Sequence, residues 1–216
     1  RGLGMSARHA SVSGWRGRAK RGVDLAGAAA ALVALAPALA AVALLVRLTS
    51  PGPVLYRQRR LGLDGRPFEM LKFRTMVAGA EPDGRPVWAT LDDPRCTRVG
   101  APLRRYGIDE LPQLWNVLRG DMSLVGPRPE RPEFAAEFSR QWPRFPERLA
   151  VRGGITGLAQ VEGHRGDTHV GDRLRADLRY VAEWSLARDV VILLRTLPAL
   201  VARRTPGEQK PERAAA

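Results

Sequence analysis

The chain has 216 residues and a formal net charge of +13 at pH 7, with an isoelectric point near 11.3. This length suits one domain with appendages, and the charge indicates an acidic partner: nucleic acid, an anionic membrane surface or a phosphorylated substrate. The single cysteine, Cys96, excludes an internal disulfide and fits a reducing compartment. The histidines, His9, His164 and His169, are too scattered to form a zinc site of their own.

Residues 23–46 form an almost wholly apolar run in which Asp24 is the only charge. As a helix this run would be about 36 Å long, which is enough to cross a bilayer. Basic residues flank both of its ends, so the charge asymmetry that orients a spanning helix is missing. Pro37, near the middle, removes a backbone hydrogen bond and kinks a helix. These features predict a re-entrant membrane helix that enters and leaves on the cytoplasmic face, with its break at Pro37.

Three other interpretations of this run compete with the re-entrant helix. A signal peptide shares the basic start and the small residues at 36–41, but its apolar core is shorter. A simple transmembrane anchor fits the length. An internal core helix would usually show a polar stripe, which this run lacks.

Short strands and turns are predicted after this run, where Pro and Gly at residues 49–53 end the helix. Residues 54–58 and 68–73 are predicted as the two strands of a basic β-hairpin. Three further segments are predicted as non-helical: the brief extended run 122–125, the flexible turn 153–157 and the strand-like stretch 158–161.

Helices with apolar faces account for most of the remaining chain. They are predicted over residues 98–106, 111–118, parts of 131–149 broken by Pro143 and Pro146, 174–180 continuing toward Trp184, and 189–204. The last of them carries a dense apolar face bordered by arginines, which suits a helix on an anionic lipid surface. The aromatic side chains between residues 134 and 145 recur at helical spacing and are interpreted as a core or membrane-facing stripe.

The adjacent carboxylates Asp109 and Glu110 are the most informative feature of the chain. Neighbouring acids repel each other, so such a pair indicates a site where a cation or a shared proton is used. Arg104 precedes the pair and Arg128 follows it, and a guanidinium group matches phosphate oxygens. Carboxylates for a metal beside arginines for phosphate predict phosphoryl-group chemistry. The structural alternatives are a helix start favoured by the macrodipole for the acids and a salt bridge for Arg128.

A series of short motifs, in this order, resembles the bacterial monotopic phosphoglycosyl transferases, the sugar transferases that start glycan assembly on polyprenol phosphate. The resemblance runs from about Lys20 to Arg204. The landmarks are Lys20-Arg21 with Asp24; Ser50-Pro51-Gly52-Pro53; Arg57-Gln58 with Arg60 and Gly62; Lys72-Phe73-Arg74-Thr75-Met76; Asp93-Pro94-Arg95; Asp109-Glu110-Leu111-Pro112-Gln113; Gly126-Pro127-Arg128-Pro129; Gly154-Ile155-Thr156-Gly157; and Trp184-Ser185-Leu186.

The resemblance implies transfer of a sugar-1-phosphate from a nucleoside diphosphate sugar, usually a UDP-sugar, to polyprenol (undecaprenyl) phosphate, with release of UMP. This is the first membrane step of glycan or exopolysaccharide assembly. By motif, Asp109 is the nucleophile that forms a covalent phosphosugar intermediate and also contacts Mg²⁺. Glu110 is expected to support the metal site or the incoming lipid phosphate. The expected substrate-binding residues are Arg104, Arg128, Lys72 and Arg152.

The resemblance also implies an α+β fold class, with an N-terminal re-entrant membrane helix, a small catalytic core associated with the β-hairpin, and amphipathic interfacial helices. The expected organisation is a basic disordered N-terminus at 1–19, the re-entrant helix at 20–48, a cytoplasmic-face catalytic domain at 49–204 and a disordered tail at 205–216. We expect a monotopic protein on the cytoplasmic face of the bacterial inner membrane. Its expected partners are the two substrates and membrane lipids but no nucleic acid, and a homodimer is left open.

Two departures from the family pattern concern the membrane helix and a turn. The family breaks its membrane helix at a Ser-Pro pair, whereas this chain has Ala36-Pro37, which keeps the kink without the hydroxyl. Gly153 stands where the family usually has proline, which loosens the turn beside Arg152.

Two other functions remain as alternatives at this point. A membrane-anchored basic protein that binds nucleic acid or anionic lipid would explain the charge, although no recognised nucleic-acid-binding pattern is present. A metal-dependent phosphohydrolase would release free sugar phosphate without needing the lipid.

Overall fold

The computed structural model of the chain describes residues 14–81, 87–88, 90, 93–164 and 168–202. The architecture is α+β, with one long N-terminal helix followed by short helices and two separate two-stranded sheets. The α-helices are α1 (Gly14–Thr49), α2 (Gly100–Arg105), α3 (Gln113–Arg119), α4 (Pro132–Gln141), α5 (Leu158–Val161), α6 (Val170–Ala182) and α7 (Leu186–Ala202). The strands are β1 (Leu55–Leu61), β2 (Pro67–Phe73), β3 (Ser123–Val125) and β4 (Gly154–Thr156).

Helix α1 is long and apolar enough to span a membrane, by length and composition. Its most apolar window has a mean hydropathy of 2.6, and only 6% of that window is buried against the rest of the protein. It passes through Pro37 as one continuous helix of 36 residues. The helix begins at Gly14, so residues 14–19, predicted to be disordered, are helical. The expectations for residues 1–13 and for the tail at 205–216 lie outside the described residues.

A buried polar network fixes the N-terminal part of α1 to the rest of the protein. Lys20 Nζ donates to Asp189 Oδ2 at 2.6 Å, and the Tyr180 hydroxyl donates to Asp189 Oδ1 at 2.8 Å. Asp24 Oδ1 accepts a 3.0 Å hydrogen bond from Ser123 Oγ. Buried charges persist where they are paired and hydrogen-bonded. Asp24, the one charge in the apolar run, is therefore an anchor between α1 and β3.

Strands β1 and β2 form the predicted hairpin, with antiparallel register from Leu55↔Phe73 to Leu61↔Pro67. Helix α3 is fixed to this hairpin by the fully buried Asn116. Its Oδ1 accepts from the Leu71 amide at 2.9 Å, and its Nδ2 donates to the Glu69 carbonyl at 2.7 Å. Because the acidic pair precedes α3 directly, this contact sets the position of the pair relative to β2.

The segment Gly154–Thr156 was predicted as part of a flexible turn, and the structure shows a strand instead. It pairs in parallel with β3, with Ser123 opposite Gly154 and Val125 opposite Thr156. A Cβ atom added at Gly154 would lie 2.1 Å from the Gly126 amide nitrogen. The glycines therefore allow a close backbone contact here, so the prediction of a loose turn was wrong.

Residues 158–161 were predicted as strand-like, and they form helix α5 instead. All of them are buried. A run of four residues, three of them apolar, is too short for its periodicity to distinguish a helix from a buried strand, so the pattern was ambiguous. The segment packs into a core cluster that includes Val125, Tyr180 and Ile192.

The other predicted helices are confirmed, with small differences at their ends. Helix α4 ends at Gln141, before Pro143, and α6 starts at Val170 rather than at residue 174. Helix α7 is amphipathic as expected, with Ile192 buried and Leu194 and Leu197 each 71% exposed. Exposed apolar side chains on one helix face indicate a contact with lipid or another apolar surface.

Candidate active site

Asp109 and Glu110 lie in a 3₁₀ turn, Ile108–Glu110, between α2 and α3. The turn begins after Gly107, whose φ of 69° lies in the left-handed region that glycine adopts without strain. Asp109 is only 6% exposed. The chain reversal therefore places two adjacent carboxylates in a largely buried position against strand β2.

Glu110 is held by two cations from other parts of the fold. Arg128 Nη1 donates to Glu110 Oε2 at 2.8 Å, and Arg128 Nη2 donates to Oε1. Lys72 Nζ, from β2, donates to Oε1 at 3.2 Å. Burial alone would raise the pKa of Glu110, but Arg128 and then Lys72 outweigh it and hold the pKa well below its ordinary value.

The environment of the Asp109 carboxylate differs from that of Glu110 in its contacts and in the direction of its pKa shift. Among the described residues, its carboxylate has no hydrogen bond or ion pair to any side chain or backbone group. Burial, and then the adjacent charge of Glu110, raises the pKa of Asp109 to about 6, against the opposing effect of Lys72 and Arg104. One carboxylate is thus engaged and the other is available, the kind of separation that assigns two acids different roles.

The structure brings Lys72, Arg104 and Arg128, three of the four residues predicted to bind substrate, close to the acidic pair. Burial lowers the pKa of Lys72, and the Glu110 charge opposes that effect. Arg104 Nη2 donates to the Thr90 carbonyl at 3.0 Å, and the guanidinium lies close enough to lower the pKa of Asp109. All three cations therefore lie near the carboxylates.

Arg152, the fourth predicted substrate-binding residue, lies elsewhere. Its Nε donates to the Gly120 carbonyl at 2.9 Å, at the C-terminal end of α3. Arg21 binds the same helix end through the Val117 carbonyl at 2.6 Å. Both cations lie at the negative end of the α3 dipole, where positive charge is favoured. The structure thus places Arg152 at a helix end and not among the contacts of the acidic pair.

Arg60, a landmark to which the sequence assigned no role, lies beside the site. Burial lowers the pKa of Arg60 to about 10, and the charges of Arg128 and Glu110 also influence it. The charge of Arg60 in turn contributes to the lowered pKa of Lys72. In the hairpin register Arg60 lies opposite Phe68, and Tyr56 lies opposite Lys72. Cross-strand partners share a face, and so do alternate residues of one strand, so this register places Arg60 on the Lys72 face. Strand alternation could have identified it.

An apolar groove of about 430 Å³ lies between α1 and the hairpin. One wall is the second half of α1, just after Pro37, and another is the hairpin. The lining residues are Leu39, Ala40, Ala43, Val54, Leu55, Phe73 and Pro112. Pro112 lies two residues after Glu110 in the chain, so this part of the lining is close to the acidic pair.

The donor set around Asp109 fits Mg²⁺ only with help from a substrate. Within the described part of the chain, no group of three or more His, Cys, Asp or Glu side chains could hold a metal ion. Mg²⁺ is usually bound by one or two carboxylates together with substrate phosphates. The unpaired carboxylate of Asp109 meets that requirement, whereas Glu110 is already engaged by Arg128 and Lys72.

Comparisons with known proteins agree with this arrangement. Residues 15–203 match the family described as bacterial sugar transferase. A UDP-glucose:undecaprenyl-phosphate glucose-1-phosphate transferase of Caulobacter vibrioides is 49% identical over 187 residues, covering 84% of this chain and 69% of the relative. An Escherichia coli protein of the same name is 42% identical over 190 residues, covering 86% of this chain and 41% of the relative.

A relative of similar length is the exopolysaccharide production protein ExoY of Sinorhizobium fredii. It is 40% identical over 208 residues, which cover 87% of this chain and 88% of ExoY. The family match includes both the acidic pair and the cations that surround it. The chain belongs to the bacterial sugar transferase family.

Proposed function

We propose that the protein transfers a sugar-1-phosphate from a UDP-sugar to undecaprenyl phosphate and releases UMP. The observation that carries the proposal is the unpaired, buried carboxylate of Asp109 beside the cation-bound Glu110. The names of the relatives from C. vibrioides and E. coli give UDP-glucose as donor, and that of an Aeromonas hydrophila relative gives UDP-N-acetylgalactosamine. All of these names give undecaprenyl phosphate as the acceptor.

In the first half-reaction, an Asp109 carboxylate oxygen attacks the sugar-bearing phosphorus of the donor. The bond from that phosphorus to the bridging oxygen breaks, and UMP leaves with the electron pair. In the second half-reaction, an oxygen of the lipid phosphate attacks the same phosphorus, forms the new diphosphate and restores the carboxylate. Covalent catalysis of this kind divides one difficult displacement into two easier ones.

The surrounding residues prepare Asp109 for this role. Burial, and then the ionised Glu110, raises the pKa of Asp109, which makes its carboxylate a stronger base and a better nucleophile. Lys72 and the partly exposed Arg128 would stabilise the negative charge that develops on the transferred phosphate. Mg²⁺ held by Asp109 and the substrate phosphates would neutralise diphosphate charge as UMP leaves.

The position of α1 supports a re-entrant arrangement at the cytoplasmic face of the inner membrane. Lys20, near the N-terminal end of the helix, binds Asp189. Arg74 Nη2, from the segment after β2, donates to the Ser50 carbonyl at 2.7 Å, just past the C-terminal end. Both ends of the helix therefore contact the same domain. A helix that crosses a bilayer would separate its ends by about 30 Å of hydrocarbon.

The apolar groove gives the acceptor lipid a path to the site. Its α1 wall is part of the helix that we place in the membrane, and its lining includes Pro112, two residues after Glu110. An isoprenoid chain in this groove would remain out of water while its phosphate approaches Asp109. A soluble nucleotide sugar can reach the same carboxylate from the cytoplasm.

The test is UMP release by the detergent-solubilised protein from a panel of UDP-sugars, with Mg²⁺ and with or without undecaprenyl phosphate. We expect sustained UMP release only when the lipid is present, and with a restricted set of donors. Free sugar phosphate formed without lipid would instead indicate a phosphohydrolase. No UMP from any donor, in folded protein, would reject the proposal.

A further inference from the structure

The segment that carries Arg128 has every one of its four carbonyl groups bound by a donor from another part of the fold. Pro127 and Pro129 have no backbone N–H, so this segment has few donors with which to stabilise itself. Two of the donors are backbone amides: Gly154 donates to the Pro127 carbonyl at 3.0 Å, and Leu61 donates to the Glu130 carbonyl at 2.9 Å. The other two are guanidinium groups: Arg148 Nη2 donates to the Arg128 carbonyl at 2.8 Å, and Arg60 Nη1 donates to the Pro129 carbonyl at 3.0 Å.

Arg148 is one of the two guanidinium donors, and it is only 6% exposed. Its Nε and Nη2 both donate to Asp177 Oδ2, at 2.9 and 2.5 Å. Asp177 lies on α6 and is itself 2% exposed. The ion pair leaves Nη2 in contact with the Arg128 carbonyl, so α6 is connected through Arg148 to the backbone of Arg128.

Arg60 is the second guanidinium donor and is held in a similar way. Its Nη1 also donates to Glu130 Oε1 at 2.9 Å, and its Nε and Nη2 donate to Gln58 Oε1 at 3.0 and 2.6 Å. Two largely buried arginines from different parts of the fold thus bind successive carbonyls, those of Arg128 and Pro129.

These ion pairs have a use beyond stability. A buried ion pair is often no more stabilising than apolar side chains of the same volume. What the arginines add is a fixed backbone at Arg128, whose side chain ends on Glu110. Small displacements of a group in an active site can cost a large factor in rate, so fixing this backbone matters for catalysis.

We propose that Arg148, oriented by Asp177, and Arg60, oriented by Gln58 and Glu130, are positioning residues that hold the Arg128 guanidinium against Glu110 during phosphate transfer. The proposal rests on the proposed function, because Arg128 matters only if a phosphate is transferred there. It assigns a role to charged residues well outside the acidic pair.

The experiment replaces the Arg148 ion pair with apolar side chains, in the double variant Arg148→Met/Asp177→Leu. This change leaves no unpaired buried charge, and the single variant Arg148→Lys serves as a milder second change should the double variant fail to fold. The matched control is Asp172→Asn/Arg175→Gln, which removes an exposed ion pair on the same helix, α6. Each variant is made in the wild-type chain and in an Arg128→Lys chain, and kcat, donor KM and thermal midpoint are measured.

We expect the apolar variant to lose at least tenfold in kcat/KM in the wild-type chain but less than about twofold in the Arg128→Lys chain. Such non-additivity is the mark of residues that act through one another. Arg148→Lys should show a smaller loss with the same dependence on Arg128. Equal losses in both chains would show a purely structural role, and unchanged kinetics would overturn the proposal.

A measurement that does not depend on turnover separates this proposal from the proposed function. In protein labelled with ¹⁵N-arginine, the Arg128 guanidinium protons should give slowly exchanging NMR signals in the wild type and the α6 control. We expect those signals to be lost in the apolar variant. If the signals are lost in the apolar variant but the wild-type protein makes no UMP, only the proposed function is rejected. If the signals persist in the apolar variant, the positioning role is rejected.

Discussion

The carboxylate of Glu110 accepts hydrogen bonds from Lys72 and Arg128, whereas that of Asp109, its neighbour, has no such partner among the described residues. The two pKa values move in opposite directions as a result. Glu110 is thus engaged by two cations, whereas the carboxylate of Asp109 is available for the nucleophilic role that we propose.

Asp109→Asn is expected to abolish turnover and yet to raise stability above neutral pH. Since the folded-state pKa of Asp109 is raised to about 6, ionisation of this carboxyl lowers the free energy of unfolding. The loss begins as the pH rises past the unfolded-state pKa of about 4, and is complete above about 6. Thermal midpoints in metal-free buffer should therefore favour the variant at about pH 8. The difference should shrink below about pH 4, where the carboxyl is protonated in both the folded and unfolded states. A midpoint lower than wild type at pH 8 would contradict this reading of the site.

Glu110→Gln is expected to lower kcat by a factor of about 10² or more, because Lys72 and Arg128 lose the anion that orients them. The matched control is Glu69→Gln on β2, where an exposed carboxylate pairs with Arg57 at the surface. Steady-state UMP release measures both variants. Comparable activity of the two variants would show that the orientation of Lys72 and Arg128 does not depend on Glu110.

At the scale of elements, the sequence predicted the hairpin and most helices because each has a long periodic pattern or a clear stop. It failed at β4 and α5, which are short and whose conformations depend on contacts with β3 and α6 elsewhere in the chain. Glycine was the ambiguous residue: the same pattern can indicate a loose turn or, as at Gly126 and Gly154, a close contact between backbones.

Gly154→Ala tests that close contact. The added methyl group would meet the Gly126 amide at 2.1 Å, so we expect a loss of about 1–3 kcal/mol in unfolding free energy, typical of overpacking. Gly22→Ala, in α1, is the control, because nothing lies within 4 Å of its added Cβ. Chemical denaturation in detergent compares them. A neutral Gly154→Ala would show that β3 and β4 can move apart freely.

The site residues were predictable to a similar, partial degree. The motif order located the acidic pair, Lys72, Arg104 and Arg128, and the structure brings these residues together. No local pattern distinguishes Arg152, whose side chain binds the end of α3, from an arginine that faces phosphate. That difference is set by how the chain packs over long distances.

For the whole molecule, the contacts at both ends of α1 predict that these ends lie on the same side of the membrane. Single cysteines at Arg18 and Arg47, both exposed, would be placed in a Cys96→Ser chain. An impermeant thiol reagent should then label both positions in inside-out vesicles and neither in right-side-out vesicles. Labelling of the two positions from opposite sides would show that α1 spans the bilayer.

The most direct measurement is the intact mass of the protein after incubation with its UDP-sugar and Mg²⁺ in the absence of lipid. We expect a gain equal to one sugar phosphate, mapped by peptide analysis to Asp109, absent in Asp109→Asn and removed on addition of undecaprenyl phosphate. A protein that makes the lipid product in the same preparation, yet never shows this adduct even on rapid quenching, would contradict covalent catalysis by Asp109.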